Sequence, residues 1–280
     1  MLAIVGGLGA ALVFAVVTLC NARSSRMIGP SALLGWVMLI GLVILVPPVA
    51  LGDVPDGLDR DAIAWLAVAG VGNVVGLLLA YAALRSGKVG IVAPVVSTQG
   101  AIAAAVATVA GDRLAPGSAA LLAAVAIGVF VAGRGSEDPA GQHEPRATLL
   151  AVAAAVAIGF SLYAIGRVSV SLPVAWALIP SRIAGVAAVT VPLLLRSQLR
   201  LTRAALPLVL VSGVCEVAGF ALFAFGARHG IAVAAVLASL FAAIAAVAAH
   251  VLFRERLART QVAGVVLIVV AVAALSGVEA

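Results

Sequence analysis

The chain has 280 residues, of which 64% are hydrophobic and 10% charged, against roughly 45–50% and about 25% in soluble domains, and its mean hydropathy is +1.26. That composition excludes a water-soluble fold, and because the apolar excess runs from Met1 to Ala280 it also excludes one anchor helix on a soluble domain. The net charge of +6 comes from 17 Lys and Arg against 11 Asp and Glu, scattered in ones to threes between apolar runs, as orienting charges are and as a nucleic-acid-binding face is not.

Apolar runs of about 18–22 residues, enough helix to cross ~30 Å of hydrocarbon, predict ten spans. In chain order they are 2–20, 32–51, 62–84, 90–110 and 117–133, then 148–166, 175–195, 206–226, 231–252 and 260–277. The first lacks a basic n-region and an Ala-x-Ala site, so it is expected to remain as a helix. Two connections are long: the acidic 52–61, GDVPDGLDRD, and the polar 134–147, RGSEDPAGQHEPRA. The expected architecture is all-α and polytopic, with a five-helix unit at 1–139, a linker at 140–147 and a second unit at 148–280. Cys20 and Cys215 lie in or at the end of apolar runs and indicate no disulfide framework.

The chain repeats itself at a constant offset of 143 residues, with residues 70–115 aligning on 213–258. The rare residues carry the match: Arg85 and Gly87 meet Arg228 and Gly230, and Asp112-Arg113-Leu114 meets Glu255-Arg256-Leu257. A repeated unit with an odd number of spans has opposite orientations in its two copies, and inverted repeats place a substrate site at mid-depth between the halves.

The stretch FAFGARHGIAVAAVLASLFAAIAAVAAHVLFRERLARTQVAGVVLIVVAVAAL resembles the end of the EamA domain of the drug/metabolite transporter superfamily. There an Ala-Leu-Lys-type turn opens a small-residue helix, a Gly-Glu-Arg-Leu turn closes it, and a Gly-containing helix follows. The first copy, AALRSGKVGIVAPVVSTQGAIAAAVATVAGDRLAP, is similar but departs at Asp112, where the pattern has Glu. The proline often found in the fourth helix is represented by Gln99 or Gly100, or displaced to Pro94. The resemblance implies a transporter fold over the whole chain, in the plasma or inner membrane. It implies little about cargo, since members move amino acids, drugs, sugars, nucleotide sugars and other metabolites.

Odd-numbered loops hold 12 Lys and Arg and even-numbered loops hold 4, with Arg182 inside a span. The positive-inside rule therefore places the odd loops in the cytoplasm and both termini outside, whereas the resemblance implies both termini inside.

Ionisable groups at mid-membrane cost at least ~2.5–3.5 kcal/mol and are functional candidates. Arg182, after Pro180 in the seventh span, and Glu216, midway along the eighth, lie within about one turn in depth, close enough that they could pair, which the sequence leaves open. Asn73 occupies the repeat position of Glu216. Two readings stay open: Glu216 as a proton-coupling carboxylate with Arg182 available to an anionic substrate group, or a structural ion pair. Gln99, Tyr81, Ser97 and Thr98, with Tyr163, Ser161 and Ser239, are further cavity candidates, although Tyr81 and Tyr163 also suit an interfacial anchor. His250 reads as interfacial. Arg85, Arg228, Asp112, Arg113, Glu255 and Arg256 read as helix-end clusters or gating latches, and Gly72, Gly76 and Gly219 as close helix contacts.

No phosphate-binding Gly-Lys-Ser/Thr loop, zinc motif or nucleophile elbow occurs, and GGLGAALVF lies inside an apolar span. The expectation is a cofactor-free secondary transporter, not an enzyme, working by alternating access on a small molecule. Protons are one option for coupling, and a monomer or a homodimer are both open. The alternative is a non-transporting integral subunit or flippase-like protein of envelope assembly.

Overall fold

The computed structural model describes residues 1–86, 89–111, 117–133 and 145–245, with scattered positions from 248 to 274. Most of the predicted tenth span and of the 134–147 segment, with His250, Asp112, Arg113, Glu255 and Arg256, lies outside the described residues.

The described chain is helical. Helices α1 (Leu2–Ile28), α2 (Pro30–Ala50), α3 (Arg60–Ser86), α4 (Val89–Ser97), α5 (Gln99–Val109) and α6 (Ser118–Gly133) precede the polar segment. After it come α7 (Pro145–Val168), α8 (Val174–Gly185), a π-turn (Val186–Thr190), α9 (Val191–Leu195), α10 (Leu206–Ala227) and α11 (Ile231–Ala238). Among the described residues, six helices are long and apolar enough to cross a membrane, and shorter apolar ones run over Val95–Val109, Ala119–Gly128 and Ile231–Ala245.

Several boundaries differ from the hydropathy reading, for identifiable reasons. The first helix does not stop at 20 but continues through NARSSRMI to Ile28, because polar residues with adequate helix propensity extend a helix beyond the hydrocarbon. It ends where Gly29 takes φ 84°, and Pro30 starts α2 at once, the usual Gly-stop and Pro-start pairing. The seventh span holds a π-turn, where Thr190 donates across to the Gly35 carbonyl at 2.9 Å. The helix expected at 148 begins at Pro145.

The fourth span is two helices. At the break the Thr98 amide and hydroxyl both donate to the Val95 carbonyl, at 3.2 and 2.7 Å, tightening one turn to i→i−3. The same device ends α11, where the Ser239 hydroxyl donates to Val236 at 2.6 Å. The two broken regions cross: a Cβ on Gly100 would collide with the Ala235 carbonyl and lie 2.7 Å from the Ser239 Cβ. Only a residue without a side chain lets these backbones meet.

Contacts between helices come in matched pairs. Under the repeat register α1 corresponds to α7, α2 to α8, α3 to α10 and α4–α5 to α11. The α1–α10 contact then mirrors α3–α7, α2–α10 mirrors α3–α8, and α1–α11 mirrors α5–α7, while α2–α8 and α5–α11 map onto themselves. Small residues set these distances: a Cβ on Gly76 would strike Ile158, and one on Gly219 would come 2.5 Å from the Phe14 ring. A two-repeat bundle results, with its core between the repeats.

The outer faces stay apolar. Leu149, Val152, Val156 and Phe160 on α7, and Leu206, Leu210 and Val214 on α10, are exposed at helical spacing, a belt far larger than a soluble monomer tolerates and suited to lipid. Loops 2, 4, 6 and 8 gather at one end of the bundle, where Gly57, Gly111, Ser171 and Ile231 line one cavity.

Candidate functional site

Arg182 lies about 12 Å along α8 from that end, and Glu216 about 16 Å from the same end of α10, at 1.5 Å per residue. Depths within one helical turn bring them together: Arg182 Nη1 donates to Glu216 Oε1 at 2.7 Å, with relative exposures of 0% and 1%. The other carboxylate oxygen, Oε2, accepts the Tyr81 hydroxyl at 3.0 Å. Tyr81 sits near the opposite end of α3, but helical side chains lean toward their own N-terminus, which carries its hydroxyl to mid-depth. Its 2% exposure excludes an interfacial anchor.

Three helices from both repeats thus meet at one carboxylate. The guanidinium also contacts Met38 Sδ at 3.5 Å and lies 5.6 Å from the Phe220 ring centroid. Gly41 of α2 makes room for it, since a Cβ there would stand 2.8 Å from Arg182 Cδ. Arg182 Nε and Nη2 have no hydrogen-bond partner among the described residues, so one side of the guanidinium is held and the other is not.

A cavity of about 80 Å³ adjoins Glu216, lined by Phe14, Thr18, Asn21, Tyr81, Gln99, Phe220 and Phe241 among others. It holds Glu216 but not Arg182, which is sealed behind the carboxylate. Gln99 is among the lining residues, its Oε1 without a hydrogen-bond partner among the described residues. Asn73, Ser97 and Thr98 are not among the lining residues: Asn73 is buried with both amide atoms lacking a partner among the described residues, Ser97 is buried, and the Thr98 hydroxyl is occupied by Val95. Asn21 escaped sequence reasoning, because the apolar run was taken to end just before it. Its amide lies next to the Tyr81 hydroxyl, with Oδ1 unpaired. The signal was an Asn continuing a helix-competent segment.

A second, polar cavity of about 460 Å³ opens at the end that gathers loops 2, 4, 6 and 8. Asp59, Asp61, Trp65, Tyr163 and Arg167 line it. Trp65 and Tyr163 stack edge to face at 5.4 Å, and Arg167 lies 5.9 Å from the Trp65 ring and 3.6 Å from Asp61. Tyr163 is 5% exposed, buried beside Trp65 rather than anchored at the surface. Arg228 fastens this end, donating to the Ser169 and Leu172 carbonyls at 2.6 and 2.8 Å, while its repeat mate Arg85 is exposed at the last turn of α3. Ser161 donates to the Ala69 carbonyl at 2.8 Å and ties α7 to α3. The crossing at Gly100 lies between the two cavities, which belong to opposite ends of the bundle.

A bundle of membrane-length helices built as two repeats, with a buried carboxylate beside a cavity at their junction, is the architecture of a multi-pass membrane protein. The chain belongs to the EamA-like transporter family, whose family model matches residues 1–134 and 145–277. One solved crystal structure shares 18% identity with it, covering 98% of this chain and 96% of its own, at a TM-score of 0.77, a likeness of fold. No curated protein matches the chain.

Proposed function

We propose that this protein is a secondary transporter of a small molecule, working by alternating access, with proton coupling at Glu216. The observation that carries the proposal is the carboxylate itself: it is buried, joined to both repeats, and borders the cavity. In this reading the fold is ten helices in two inverted repeats, at 1–139 and 148–280, joined by a linker at 140–147. The lipid surroundings are those of the plasma or inner membrane, and the Lys and Arg bias puts both termini outside the cytoplasm.

Glu216 as a carboxylate holds Arg182 of α8 and Tyr81 of α3 together. A protonated Glu216 releases the charge attraction and the strong acceptor for Tyr81, loosening α3 of the first repeat from α10 of the second. The two occupied states of the carboxyl thus favour different packings, as a two-state carrier requires. Among the described residues, Met38 of α2 beside the guanidinium, and Phe14 of α1, Phe220 of α10 and Phe241 beyond α11 on the cavity lining, do not titrate. The crossing of the broken helices at Gly100 is the barrier between the two cavities. Asp112, Arg113, Glu255 and Arg256 are the proposed latches at the helix ends, with Arg85 and Arg228.

The test uses proteoliposomes screened with amino acids, organic acids and amines, with and without a pH gradient. Wild-type protein accumulates its substrate when the gradient is imposed. Glu216→Gln, checked for normal insertion, loses gradient-driven accumulation; full retention overturns the coupling role.

A further inference from the structure

Resting on that transport reading, we infer that the cavity beside Glu216 takes a protonated primary amine carried on a compact apolar body, and rejects anions. Sequence reasoning pointed the other way, because a mid-membrane Arg suggests a substrate carboxylate. The packing reverses the sign: Arg182 is fully buried behind Glu216, Met38 and Phe220, and only the negative member of the pair borders the cavity.

The remaining polar groups match. Besides Glu216, the cavity is lined by Asn21 and Gln99, whose buried amide oxygens, Oδ1 and Oε1, have no partner among the described residues. Their residues are 1% and 7% exposed, so bulk water does not satisfy them. The Tyr81 and Thr18 hydroxyls are committed as donors to Glu216 and to the Phe14 carbonyl. The unmet demand among these lining residues, whose amide oxygens a small side-chain rotation would turn to the cavity, is therefore for hydrogen-bond donors, and an ammonium group brings three N–H bonds and no acceptor. Buried acceptors left unpaired discriminate strongly in favour of the ligand that pairs them.

The body of the ligand meets Phe14, Phe220 and Phe241. Aromatic faces attract a nearby cation as well as apolar carbon, and the 80 Å³ cavity restricts the body to about one ring. Charge counting joins the substrate to the coupling step. Glu216 and Arg182 together are neutral, so a bound proton or a bound ammonium each brings the site to one positive charge. The two loads are equivalent and mutually exclusive, and exchange of one for the other moves no net charge.

Full-length protein in detergent is titrated with three probes of similar shape and different charge: 2-phenylethylamine, 2-phenylethanol and phenylacetate. The amine is expected to bind about 10-fold or more tightly than the other two, since charge-assisted hydrogen bonds exceed neutral ones by roughly that factor. Gln99→Leu and Asn21→Leu are each expected to weaken amine binding about 10-fold and 2-phenylethanol binding less. Equal affinities, preference for phenylacetate, or no amine binding overturns the amine assignment. Gradient-driven accumulation of a non-amine in the proteoliposome screen, with no amine moved, refutes the substrate class and leaves the transporter reading standing. Amine binding without any gradient-driven movement refutes the transporter reading and leaves the binding class standing.

Discussion

Gly100→Ala isolates the crossing of the broken helices. Adding one methyl places a Cβ against the Ala235 carbonyl and 2.7 Å from Ser239 Cβ. The first obstacle is backbone, which no rotamer change removes, so α5 and α11 must separate or tilt. Overpacking of this kind costs about 1–3 kcal/mol, and the rigid obstacle argues for the upper end; the better helix propensity of Ala returns up to about 1 kcal/mol, leaving a net loss of about 2 kcal/mol. Gly9→Ala is the control, because its Cβ would meet only Leu222 side-chain atoms at 3.4–3.9 Å, ordinary contact, and should gain up to about 1 kcal/mol. The two variants should therefore differ by about 3 kcal/mol. For a chain of this size that separates their apparent Tm values by about 6 °C or more, read by thermal unfolding of the purified protein in one detergent. If Gly100→Ala melts with or above Gly9→Ala, the crossing is not the tight contact described.

The remaining tests probe the polar groups. Tyr81→Phe removes one donor to Glu216 and should cost about 1.5–3 kcal/mol, with slowed transport and normal insertion; unchanged stability and transport would contradict the hydrogen bond. Arg182→Met leaves the carboxylate buried without its partner and should cost about 3–5 kcal/mol, whereas the double change Arg182→Met with Glu216→Leu should return close to wild-type stability while transport stays abolished. A double variant that is stable and still transports would make the pair structural. Arg228→Ala forfeits two bonds to the Ser169 and Leu172 carbonyls and should lose about 1–3 kcal/mol, against about 0.5 kcal/mol or less for the exposed repeat mate Arg85→Ala. Equal effects in thermal unfolding would show that Arg228 does not fasten the loops.

The composition of the chain determined its solvent: 64% hydrophobic residues leave no polar face to show to water, and helices are what such segments form in a bilayer. The offset between Asn73 and Glu216, and between Arg85 and Arg228, determined that the architecture has two related halves. Counting along two spans was enough to put Arg182 and Glu216 at similar depth, because helical rise is constant. What periodicity cannot supply is azimuth and neighbour identity. Hydropathy barely distinguishes the faces of a helix apolar all round, so the chain alone could not tell that Tyr81 turns inward to Glu216, that Asn73 misses the cavity, or that Asn21 joins it. Nor could it tell which member of the ion pair borders the cavity. Tertiary packing decided that, through Gly41, which makes room for the guanidinium, and the bulk of Met38 and Phe220, which seal it and leave the carboxylate beside the cavity.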